Sequence, residues 1–162
     1  MKKLTLLLFV ALIFSCSKDS NQEQEAGDII IGEWEHYFYE FDVNGDGLNW
    51  DVRDMLAVYG YKDISVFHNN NTWDWIDGRG SGSSSNNAYG GHWEINGNTI
   101  TKTNSADQST DTGYDLTFLC SNNIMSYRRE KTYNDGSKRN IFIYYNRLGF
   151  DPSSCNIDYQ SD

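Results

Sequence analysis

Apolar and polar residues alternate with a period of two through much of this chain, and the alternating runs end at turn dipeptides. No other feature constrains the fold as much, because a period of two puts every second side chain on one face of a strand and suits no helix. The runs are Glu33–Phe41, Asp63–Asn69, Thr72–Asp77, His92–Asn96, Asn98–Thr103, Tyr114–Cys120, Ile124–Lys131 and Lys138–Leu148. Between them stand Asn69-Asn70-Asn71, Asn96-Gly97, Ser121-Asn122-Asn123 and Asn134-Asp135-Gly136. Asn and Gly accept the positive φ that tight hairpin turns impose. The single helical window is Asp51–Tyr59, ended by Gly60. Short strands joined mostly by hairpins predict an all-β chain, an eight-stranded up-and-down antiparallel barrel with one short helix.

The length, 162 residues, suits one such domain, and 15% aromatic content is ample packing material for a core. The net charge of −10 excludes nucleic acid as a partner and docking through a basic patch on anionic lipid, since both need a surplus of Lys and Arg.

The first residues belong to targeting. Lys2 and Lys3 precede an apolar run from Leu4 to Phe14, too short for a transmembrane helix and right for a signal peptide. The run ends in Ile13-Phe14-Ser15-Cys16, which resembles the lipobox of bacterial lipoproteins. The resemblance implies a signal peptide over 1–15 and a lipid anchor on the thiol of Cys16. Ser17 after the Cys implies residence at the outer membrane. The alternative is an ordinary secretory signal with a coincidental Cys. Residues 16–28 are polar and read as a flexible tether, leaving 29–162 as the barrel domain. Removal of Lys2 and Lys3 takes the net charge to −12, 11 basic against 23 acidic residues.

The domain resembles the lipocalins, and in particular bacterial lipocalin-like lipoproteins. Gly32-Glu33-Trp34 opens the first strand as the Gly-x-Trp signature does. Arg147 ends the last strand, and Gly91–Thr101 is similar to the central hairpin. The resemblance covers roughly residues 29–148 and implies that Arg147 stacks over Trp34 at the barrel floor, a structural pair. With Cys16 lipidated, Cys120 and Cys155 remain, and outside the cytoplasm an even pair is open to oxidation. Lipocalins often tie the C-terminal segment to the barrel in this way; the alternative is two buried small hydrophobes.

One loop carries chemistry of its own. Asp42, Asn44 and Asp46 with Gly47 match the front of a Ca²⁺ loop, in which the Leu48 carbonyl supplies a further oxygen and Asp51 or Asp54 closes the set. Arg53 stands where a bidentate Glu belongs. The alternative is that these residues form turns and cap the short helix.

No catalytic motif is present, and His36, His68 and His92 are scattered over three strands, so the chain does not read as an enzyme. In a barrel one face of every strand points inward, which makes Trp73, Trp75, Trp93, Tyr114, Leu116 and Phe118 the expected cavity lining, with the long Gly78–Gly91 loop as a lid. The expected function is binding of a small apolar or glycan-like ligand by an outer-membrane lipoprotein. The alternative is an interaction or scaffold subunit of an envelope complex, its barrel filled by its own side chains.

Overall fold

The computed structural model of the protein describes residues 26–47, 50–76, 78 and 89–157. The 1–15 signal segment, Cys16, Leu48 and most of the Gly78–Gly91 segment lie outside the described residues. Residues 26–30 form one helical turn, so three residues of the expected tether, 26–28, are helical. The strands are β1 (Gly32–Asp42), β2 (Trp50–Asp54), β3 (Ile64–Phe67), β4 (Thr72–Ile76), β5 (Tyr89–Asn96), β6 (Thr99–Asn104), β7 (Thr110–Leu119), β8 (Ile124–Thr132) and β9 (Lys138–Arg147), with helix α1 (Met55–Tyr59) after β2. Sequential antiparallel neighbours run from β3 to β9. β1 pairs with β3 on one edge and β9 on the other, closing an eight-stranded barrel.

The ninth strand, β2, is an addition to the ring. Gly32–Glu35 of β1 pair with β3, and beyond a bulge between His36 and Phe38 the same edge takes β2, from Phe38↔Asp54 to Asp42↔Trp50. The helical window at Asp51–Tyr59 is therefore half strand. Asp51–Asp54 are held extended by the β1 ladder, and the helix begins at Met55. Asp54 caps it, its carboxylate accepting from the Ala57 amide at 2.8 Å, and Gly60 ends it in the left-handed region at φ 76°. Of this helix only Met55 is buried.

The closed end of the barrel is a plug where the first and last strands meet. Trp34 is fully buried and donates its indole N–H to the Ile30 carbonyl at 2.6 Å, which ties the 26–30 turn beneath the ring. Arg147 lies opposite Trp34 in the β1–β9 ladder, with its guanidinium carbon 4.2 Å from the centre of a Trp34 ring. It donates to the Ile31 carbonyl at 2.6 Å and to the Ile29 carbonyl. Gly32 makes room for this. Its φ is 126°, and a Cβ there would stand 2.5 Å from Arg147 Nη1. The Gly-x-Trp pattern thus has a local cause, namely that the guanidinium covering the Trp needs the space a side chain would fill.

Ile124–Tyr127 of β8 and Ile143–Asn146 of β9 are buried on both faces. Inside, Met125, Tyr127, Ile143 and Tyr145 join Trp34, Phe67, Trp93, Ile100 and Leu116 in the core. Outside, Ile124 and Tyr144 pack with Tyr37, Phe38 and Ile157, where the C-terminal tail folds back. Cys120 and Cys155 form a disulfide there, Cα atoms 6.0 Å apart, pinning the tail to the end of β7.

Candidate functional site

The barrel interior changes character along its length. In phase on β8 come Met125, Tyr127 and Arg129; on β6 come Ile100, Lys102 and Asn104. The floor end of each strand is apolar and the opposite end polar. The result is a cavity of about 450 Å³ toward the end opposite the floor, lined by Ser65, Trp73, Trp75, Lys102, Asp111, Arg129 and Tyr145 among others. That volume lies within the range of small-molecule sites.

Lys102 is the centre of the site. It is only 7% exposed, and its Nζ donates to the Tyr127 hydroxyl at 3.0 Å. The same ammonium lies 3.4 Å from Asp111 Oδ2 and 5.4 Å from the ring centres of Trp73 and Tyr127. Cross-strand register causes the ion pair, since Lys102 and Asp111 are partners in the β6–β7 ladder. Burial opposes the lysine charge, but Tyr127, Tyr145 and Asp111 outweigh it and hold the pKa above that of a free lysine. Arg129 Nε reaches the other oxygen of Asp111 at 2.7 Å.

Around this ion cluster stands an aromatic wall. The Tyr127 and Tyr145 hydroxyls are 3.1 Å apart, and Tyr145 is pushed up chiefly by burial, so it remains a phenol. His36 stacks on Tyr145 with ring centres 5.0 Å apart. Burial above all, and then the charges of Lys102 and Arg129, lower His36 to about 4 against a hydrogen bond to the Phe38 backbone. At neutral pH it is an uncharged ring. Gly113 gives Tyr127 its place, because a Cβ at that position would stand 2.3 Å from the Tyr127 ring.

Of the expected lining, Trp73 and Trp75 face the cavity. Trp93, Leu116 and Phe118 instead fill the floor half. Trp93 meets Phe67 edge-on at 5.9 Å, and Phe118 packs 6.1 Å from Trp34. Tyr114 is a correction. It is 41% exposed on the outer surface, beneath the Arg128 guanidinium at 5.4 Å. A bulge between Tyr114 and Thr117, with Asp115 at φ 57°, breaks the alternation, so Tyr114 and Leu116 do not share a face. Sequence reasoning missed Lys102, Asp111, Arg129, Tyr127 and Tyr145. The signal was present, since Lys102 and Arg129 stand in phase with buried apolar residues on strands read from alternation.

The acidic loop is organised differently from a cation cage. Asp42 is buried, and its two oxygens accept from the Gly45 and Gly47 amides at 2.8 and 3.0 Å. Asp51 pairs with Arg53 at 3.0 Å, and Asp54 caps α1. Asp54 stands opposite Phe38, four residues back along β1 from Asp42, roughly 13 Å at the rise of a strand. Asn44 and Asp46 lie in the exposed turn, and the Leu48 carbonyl lies outside the described residues. Among the described residues no group of three or more His, Cys, Asp or Glu side chains is placed to hold a metal ion. As they stand, Asp42, Asp51 and Asp54 do not converge on one ion.

Fold and site together define a closed antiparallel β-barrel with a packed floor and a cationic, tryptophan-walled cavity. No family model matches the chain, and a search of the curated proteins finds no match.

Proposed function

We propose that this chain is a lipocalin-like small-molecule-binding barrel, carried on a lipid anchor at Cys16 and held at the outer membrane. The observation that carries the reading is the cavity of about 450 Å³, walled by Trp73 and Trp75 at the end opposite the packed floor. It supports binding over the alternative of a barrel filled by its own side chains, a description that suits the floor half alone. The lining also changes the kind of ligand. A wholly apolar molecule would strip water from Lys102, Asp111 and Arg129 without replacing its hydrogen bonds. The ligand therefore has a flat part for the indoles and a polar part for the ion cluster.

Native mass spectrometry of protein purified from its own host envelope tests this. The expected spectrum holds an adduct of small-molecule mass that leaves on collisional activation. In Trp75→Ala its occupancy falls at least several-fold. A bare polypeptide mass in the wild type would count against binding. The anchor has a separate test in Cys16→Ala, which is expected to move the protein from the membrane fraction to the soluble periplasm. Continued sedimentation of that variant with the outer membrane would remove the lipid from the reading.

A further inference from the structure

We propose that the cavity is an anion site: it takes a small flat molecule bearing a carboxylate or sulfonate, its acidic group against Lys102 and Arg129 and its flat part against Trp73 and Trp75. The inference rests on the binding reading above and names the ligand class.

Charge carries the argument. Among the described residues the lining holds two cations, Lys102 and Arg129, and one carboxylate, Asp111, an excess of one positive charge in a chain whose net charge is −10. Average composition would put the opposite sign there. Both oxygens of Asp111 are engaged, one by each cation, so the carboxylate is not free to receive a cationic ligand. His36, close enough for both cations to depress it, contributes no charge at neutral pH.

Hydrogen-bonding capacity points the same way. An ammonium has three donors and a guanidinium five. Lys102 uses Tyr127 and Asp111, and its remaining neighbours are the faces of Trp73 and Tyr127. Arg129 meets Asp111 through Nε, and its two terminal nitrogens have no carboxylate partner among the described residues. The buried indole N–H of Trp73 also has no acceptor among them. Indole N–H only donates. Unused donors of a lysine and an arginine therefore border one cavity. A neutral apolar guest would leave them unmatched, and an anion accepts from them.

Two dyes with the same rings test the inference on the folded protein: 8-anilinonaphthalene-1-sulfonate and N-phenyl-1-naphthylamine, which lacks the sulfonate. The sulfonate dye is expected to bind at least tenfold more tightly. Arg129→Gln, at a side chain 46% exposed and therefore tolerant of change, and Lys102→Met are each expected to cut that preference several-fold. Asp111→Asn, which removes the opposing charge, is expected to raise it. Lys138→Gln, at a cation paired with Glu130 on the exposed surface, is the control and leaves it unchanged. Equal binding of the two dyes overturns the anion assignment and leaves the binding reading standing. So does a preference that survives both Arg129→Gln and Lys102→Met, or one that Lys138→Gln lowers as much. Binding of neither dye overturns the binding reading and this inference with it.

Discussion

Alanine at Trp34 is expected to lower the unfolding free energy by about 5 kcal/mol, most of the stability of a marginal domain. Three losses combine. The fully buried ring leaves a void against Phe118. The Ile30 carbonyl loses its donor, and with it the 26–30 turn loses its tie to the floor. Arg147 loses the aromatic face it covers while its guanidinium stays committed to Ile29 and Ile31. Burial of a ring of this size accounts for about 3–5 kcal/mol, and the orphaned carbonyl adds about 1–3 kcal/mol. Arg147→Met separates the parts. Methionine keeps an apolar cover over Trp34, so only the cation–π and hydrogen-bond terms go, about 1–3 kcal/mol. Equilibrium denaturation in urea reads both values. A loss below about 2 kcal/mol in Trp34→Ala would mean that the floor is not what closes this barrel.

Serine at both Cys120 and Cys155 is expected to cost about 4 kcal/mol. The bridge spans 35 residues, and in the chain-entropy model a cross-link of that span removes about that much freedom from the unfolded chain. Its position explains why the native state also suffers. The bridge holds the tail that brings Ile157 and Phe150 over Phe38 and Tyr144 on the outside of β1 and β9. Without it that outer cluster depends on packing alone. Wild-type protein unfolded in dithiothreitol is expected to match the double serine variant. If oxidised wild type and the double variant share one denaturation midpoint, the bridge contributes nothing to stability.

The eight barrel strands, the hairpin turns and the helix stop at Gly60 were legible without coordinates, because each depends on residues within a few positions of one another. Alternation selects a strand; Asn and Gly select the turn. Trp34 and Arg147 were legible only through the family resemblance, and they meet as partners at one end of the closing ladder. The β2 strand was not. Asp51–Asp54 carry no clear period, and a neighbour distant in sequence, the second half of β1, draws them out of helix.

The site was legible only in part. Alternation alone placed Trp73 and Trp75 on the interior face. It failed at Tyr114, because one bulged residue at Asp115 turns every inward position before it outward. Which interior residues pack and which leave space was beyond any local pattern, since that depends on how far side chains from opposite walls reach across the ring. Trp93 meets Phe67 and fills the space before it, whereas Lys102, its cross-strand partner, meets Asp111, Tyr127 and the cavity. The sequence by itself determined the strands and the turns, because backbone preference and side-chain period act over a few residues. Only the tertiary structure decided the added strand, the outward turn of Tyr114 and the positive charge of the cavity. Each of these arises where strands far apart in the chain are brought face to face.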